Sequence, residues 1–244
     1  MRRRRSLVAA PLAALLPARF VAALAPLASL PPSAVASSDA ERQSTALIAA
    51  AASGDLAALR RLLDAGAAVN GRDGRGRTAA LAAVQNGQVA AAWLLIERGA
   101  DVNLQDDQRD SVFLLAGARG LTEVVRLAVA AGADLKSTNR YGGTALIPAC
   151  HYGHVETVRA LLATAIDVDH VNRLGWTALL EAVILGDGGP AHVEIVELLL
   201  ARGADPNLAD RDGATPLAHA RNRGQSQVVE RLLRAGARDG SRRA

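Results

Sequence analysis

The 244 residues are half apolar but only 2% aromatic, so the buried mass is Ala, Leu and Val, which suits short, closely packed helices better than a sheet or one large core. A formal charge of +4 would favour phosphate backbones, but Arg2, Arg3, Arg4, Arg5 and Arg19 all lie in the first 36 residues, which hold no acid. The remaining 23 basic residues face 24 acidic ones, which excludes general nucleic-acid attraction, and the single cysteine, Cys150, excludes an internal disulfide or a thiolate zinc site.

Residues 1–36 read as a signal peptide. Met1 to Ser6 form a basic n-region, Leu7 to Leu16 a short apolar stretch, and Ala34-Val35-Ala36 a small-residue cleavage site. Arg4-Arg5-Ser6-Leu7-Val8 also resembles a twin-arginine export signal. Prolines at 11, 17, 26, 31 and 32 and the charge at Arg19 argue against stable membrane insertion. An uncleaved membrane anchor and an organelle transit peptide use similar residues, although Pro11 and Pro17 interrupt the helix a transit peptide requires. With 27 Arg against one Lys, the composition fits a GC-rich bacterial source, hence a periplasmic or secreted destination.

Beyond a short linker at 37–41 the chain repeats itself. Thr45, Thr78, Ser111, Thr144 and Thr177 follow at intervals of 33, and Thr215 comes 38 later. Gly54, Gly87, Gly120, Gly153, Gly186 and Gly224 keep the same beat, as do Gly66, Gly99, Gly132, Ala165, Gly203 and Gly236. Three columns sharing one period and one slip define a stacked-repeat architecture. The Thr is placed to cap a first helix, the middle Gly to turn the chain into a second, and the last Gly to end that second helix in a left-handed cap. Ala165 in the last column predicts a cap strained by about 1 kcal/mol. Val124, Val125, Leu127 and Ala128 show the helical spacing of a buried face that only a neighbouring unit can cover. The first unit starts near Ser44 without a preceding hairpin, and Gln225, Gln227, Glu230, Arg231 and Arg234 are expected to give the last unit a polar outer face. Gly186-Asp187-Gly188-Gly189-Pro190 lacks the Lys and Ser/Thr of a phosphate loop and reads as an enlarged helix–helix loop holding the five-residue insertion.

These units resemble ankyrin repeats. That family's Thr-Pro-Leu-His motif survives best as Thr215-Pro216-Leu217, and is degraded to Thr144-Ala145-Leu146 and Thr177-Ala178-Leu179. The unit ends Gly99-Ala100-Asp101-Val102-Asn103 and Gly203-Ala204-Asp205-Pro206-Asn207, and the turn Gly153-His154-Val155-Glu156, are similar to the family's. The resemblance covers about residues 42–240 and implies an all-α repeat solenoid of about six units: 42–72, 73–105, 106–138, 139–171, 172–209 and 210–240, with a tail at 241–244. Each unit would be a β-hairpin or turn followed by an antiparallel helix pair.

In that fold the hairpin tips and the exposed end of each first helix line a concave groove. By resemblance the groove positions include Arg140, Tyr141, His151 and Tyr152 in unit four, and Arg173, Leu174, Trp176, Ile184 and Leu185 in unit five. Of five aromatics beyond the leader, Tyr141, Tyr152 and Trp176 fall here, so these units are the expected protein-binding hot spot. Packing against neighbouring hairpins is the competing reading for them. Trp93 stands where other second helices carry charge, which implies either an apolar contact on the convex side or packing flat across a neighbour.

No catalytic, cofactor-binding or metal-binding set is visible. His151 and His154 are separated by a helix-breaking Gly153, no serine sits in a nucleophile elbow, and Cys150 falls on a core column. The expected role is therefore that of an exported, non-enzymatic module for an unnamed protein partner, with no nucleic acid or small-molecule substrate. Alternatives are an accessory factor protecting an exported enzyme, such as an oxidative-stress enzyme, and a secreted effector engaging host proteins.

Overall fold

The computed structural model describes residues 32–238, with side chains from residue 39 onward. Among these residues the chain forms six helix pairs: α1 (Pro32–Ser53) with α2 (Leu56–Asp64), α3 (Ala79–Gln85) with α4 (Val89–Glu97), α5 (Val112–Ala118) with α6 (Thr122–Ala130), α7 (Leu146–His151) with α8 (Val155–Leu162), α9 (Ala178–Ile184) with α10 (Pro190–Ala201), and α11 (Pro216–Asn222) with α12 (Ser226–Arg234). First helices stack on first helices and second on second, making two layers around one continuous core. The fold is an all-α repeat solenoid, and its hairpins are turns, with one isolated antiparallel bridge, Arg72 to Thr78. The tail at 241–244 and most of the leader lie outside the described residues; Ala34-Val35-Ala36 and the 37–41 segment fall within α1.

The first-helix caps follow the column, with two departures. The hydroxyls of Thr78, Ser111, Thr177 and Thr215 accept from the N–H of Leu81, Leu114, Leu180 and Ala218 at 3.2–3.3 Å. Thr45 instead lies inside α1 and its hydroxyl donates to the Glu41 carbonyl, because no hairpin precedes it and the helix simply continues. The Thr144 hydroxyl is buried without a partner. In four other units the capping residue's carbonyl accepts from the N–H four positions on, at Ala82, Leu115, Glu181 and His219. The fourth unit has Pro148 there, which has no N–H to donate, so α7 begins late at Leu146 and is only six residues long.

The expected strain at Ala165 is not found. Where glycine ends the second helix, two successive N–H groups fold back onto the last turn, as Gly132 N to Val129 O and Ala133 N to Ala128 O. Ala165 avoids positive φ altogether; instead the Thr164 hydroxyl donates to the Leu161 carbonyl at 2.6 Å and accepts from Ile166 N–H at 3.2 Å. The side chain replaces the left-handed turn. The insertion is also only partly a loop: Pro190 sits at the first position of α10, which extends to 12 residues against eight or nine in the other second helices.

Polar side chains tie unit to unit. Asn70, Asn103, Asp169 and Asn207 each accept the backbone N–H of Asp101, Asp134, Asp205 and Arg238 in the following unit. The equivalent residue in unit three is Lys136, an exposed side chain that cannot accept. His154 Nε2 donates to the Ala118 carbonyl and His192 Nε2 to that of His151, each reaching back one unit. Gln225, expected on the polar outer face, is buried for the same reason: its amide donates to the Val183 and Gly186 carbonyls.

Arg109 is the one described non-glycine residue with positive φ, at 60°. Gly76, Gly142, Gly175 and Gly213 fill this hairpin position in other units, all between 71° and 87°. A left-handed side chain costs about 1–2 kcal/mol, partly offset by the entropy glycine loses on folding. Arg109→Gly is predicted to raise the thermal midpoint by about 2 °C, read by circular dichroism. An unchanged or lowered midpoint would show that the arginine is relaxed there.

Candidate functional site: a cavity over units four and five

The hairpins are built on one repeated carboxylate or amide. Asp73, Asp106, Asn139, Asn172 and Asp210 each use Oδ1 to accept two backbone N–H groups, from the residues two and four positions on, at 2.9–3.1 Å. That double acceptor closes the loop and projects the side chains between outward. Consecutive tips are joined as well: Arg173 N donates to the Tyr141 carbonyl at 2.9 Å, the Arg173 guanidinium reaches the Arg140 carbonyl, and that of Arg211 reaches the Arg173 carbonyl.

Between these hairpins and the first helices lies a cavity of about 400 Å³. Six of the nine expected groove residues line it: Arg140, Tyr141, His151, Tyr152, Leu174 and Leu185. Tyr141 is 54% exposed and Tyr152 59%, with Leu174 and Leu185 also open to solvent. The Arg140 guanidinium carbon sits 4.8 Å from the Tyr141 ring centre, and its Nη1 donates to Gln108 Oε1 at 3.2 Å. His151 and Tyr152 stack with ring centres 4.3 Å apart. The other three candidates stand outside the lining. Arg173 is engaged with its neighbouring hairpin, and Trp176 and Ile184 are half-buried.

The lining also brings in residues that the sequence did not single out, above all Glu181. This acid of α9 is only 6% exposed, and burial pushes its carboxyl from an ordinary 4.5 to about 7. Asn172 Nδ2 donates to its Oε1 at 3.0 Å, while His151 Nδ1 stands 3.8 Å from Oε2, beyond hydrogen-bond reach. Burial lowers the His151 pKa, with His192 adding to the effect. The Cys150 thiol, fully buried behind it, is pushed well up by burial and by the Glu181 charge, so it behaves as core. Asp110, at the other end of the cavity, is raised by burial and by neighbouring Asp106. In the first-helix column of Glu181 the other units have Ala49, Ala82, Leu115, Pro148 and His219, and it was this lone acid that aligned columns could have revealed.

Two other depressions are less specific. Trp93 is 48% exposed and lines an open hollow of about 600 Å³ with Leu56, Arg60, Val89 and Glu123, between second helices. Arg75, Arg77, Gln85 and Asp107 border another at units two and three. Among the described residues no group of three or more His, Cys, Asp or Glu is placed to hold a metal, and no helix is long and apolar enough to cross a membrane. His170 turns its Nε2 to the Gly142 carbonyl at 2.8 Å, and His219 pairs with Asp210 at 2.7 Å.

Glu181 makes a signed prediction about pH. Between about 4.5 and about 7 the folded chain holds a proton that the unfolded chain has released, so stability falls as pH rises through that window. Glu181→Gln, which keeps an acceptor for Asn172, is expected to flatten this slope and to be more stable at about pH 8 by roughly 1–3 kcal/mol. Urea unfolding of both proteins across the range measures it. Parallel pH curves would mean that the carboxylate is well solvated.

Comparison with known proteins agrees with the architecture. A family model for ankyrin repeats in three copies matches residues 21–106 and 113–210. The crystal structure of an ankyrin repeat domain from Acinetobacter baumannii AYE is 53% identical, covers 79% of this chain and 98% of its own, and gives a TM-score of 0.76. The human ASB11 ankyrin repeat domain is 29% identical over 79% of this chain and 84% of its own, with a TM-score of 0.68. In sequence, 57 residues are 49% identical to the ankyrin repeat protein YahD of Escherichia coli (strain K12), spanning 23% of this chain and 28% of YahD, less than a third of that relative. Ankyrin repeats are generally protein–protein interaction modules and are typically scaffolds without catalysis. With the family model matched over well more than half of its length, the chain belongs to the ankyrin-repeat family.

Proposed function

We propose that this protein is exported and holds a protein partner in the groove over units four and five. The observation that carries the reading is the cavity itself, where two exposed tyrosines and two exposed leucines from adjacent units surround a buried polar floor. Apolar and aromatic side chains left in solvent around a recess are what a partner can desolvate, and such centres supply most of the energy in protein interfaces. The rigid hairpins favour the same face, because their backbone is already ordered and costs little further entropy on binding. Export rests on the basic leader and the Ala34-Val35-Ala36 cleavage site.

The test pairs location with capture. Fractionation of the native source is expected to recover a chain beginning at Ser37 outside the cytoplasm, and retention of residues 1–36 in the cytoplasm would sink the export half. For the groove, a Tyr141→Ala/Tyr152→Ala variant is expected to lose partner capture about tenfold or more while its thermal midpoint stays within about 2 °C, since both rings are more than half exposed. Trp176→Ala, which truncates a half-buried ring, is the control for a packing role. Recovery of the same partners by the double variant and by wild type would move the binding site elsewhere.

A further inference from the structure

Glu181 is a buried carboxylate that the protein itself leaves half satisfied. One oxygen is held by Asn172; the other faces a neutral-leaning His151 at 3.8 Å. A buried charge is costly unless paired, and most of the nearby cations are turned to other groups. On the hairpins, Arg140 is held by Gln108 and the Tyr141 ring, and Arg173 by the Arg140 carbonyl. On α10, His192 has its ring nitrogens on the His151 carbonyl and Asp187. On α11, His219 pairs with Asp210, Arg223 donates to the Gly186 carbonyl, and Arg221 borders a separate depression with Gly224 and Val229. Cys150 on α7 adds no charge, and Asp110 brings a second carboxyl to the cavity.

We infer that the cavity selects a basic side chain, Arg or Lys, from an extended segment of the partner, seating its cation on the Glu181 carboxylate with its methylene stem between Tyr141, Tyr152, Leu174 and Leu185. The inference rests on the proposed use of this groove and supplies its partner chemistry. Charge complementarity selects the occupant: a cation supplies the missing counter-ion, whereas an apolar side chain leaves Oε2 unpaired and an acidic one adds repulsion. The walls suit it too, since the aliphatic stem of an Arg or Lys packs on Leu and Tyr side chains while its head stays with the acid. Because the cation favours ionised Glu181, binding tightens as pH rises through about 7.

The experiment is a random peptide library selected on the full-length chain, with binders measured by fluorescence anisotropy against wild type, Glu181→Gln and Tyr141→Ala/Tyr152→Ala. The expected result is one fixed Arg or Lys position in peptides that bind through the tyrosines. Replacing that residue by citrulline or norleucine, or Glu181 by Gln, should weaken binding about tenfold or more and abolish the tightening between about pH 6 and about pH 8. Peptides that need the tyrosines but carry no basic position, or bind Glu181→Gln equally well, overturn the inference and leave the groove standing. Binders indifferent to both tyrosines, or no binders at all, overturn the inference together with the groove.

Discussion

Everything in this molecule depends on neighbours covering each other. A first helix of six or seven residues is too short to persist alone in water, and here most of its length is buried: Ala79 through Val84 of α3 are all sealed between adjoining units. Alanine and glycine make that possible. At Gly117 an added methyl would sit 2.8 Å from the Ala145 carbonyl oxygen, so α5 meets the next unit at backbone distance. The second helices close the other side through larger residues such as Leu95, Leu161, Leu199 and Leu232. Stability is then a sum of interfaces along a line, with each internal unit contributing two.

Such an arrangement separates scaffold from surface. The hairpins contribute little to the core, yet they are stiff, because one Asx oxygen in each closes the loop on two N–H groups. Apart from the left-handed third position, the residues of the tip are free to vary. Units two and three spend them on charge, with Arg75, Arg77, Asp107 and Asp110, while units four and five carry Tyr141, Leu174 and Trp176. The groove therefore changes character along its length while the backbone beneath it repeats.

The repeat was legible in the sequence because its glycines answer to backbone geometry, which no neighbour can alter. Departures were less legible, since each depended on a second residue. Thr45 lies within a helix because α1 runs unbroken from Pro32 where other units have a hairpin; Thr144 loses its expected role through Pro148, four positions away; Thr164 makes Ala165 harmless. Groove residues were legible by column, but a column gives no direction. Tyr141 and Tyr152 stand open, whereas Arg173 folds back on its neighbouring hairpin and Trp176 is partly covered, distinctions that arise from contacts between units. Glu181 was missed because an acid in a short helix reads as solvent-facing until the stacking that buries it is known.

That missed acid is where the interests of folding and binding part. A leucine, as at position 115 in the same column, would fill the site without the cost of desolvating a carboxylate. Asn172 closes its hairpin and also donates to the acid, much as Asp210 holds His219 in the same column of unit six, so the hairpin is recruited to hold the carboxylate in place. A charge supported on one oxygen and open on the other is poorly arranged for stability alone. It is well arranged for discrimination, because a partner that brings the complementary charge recovers a free-energy cost that folding has already met.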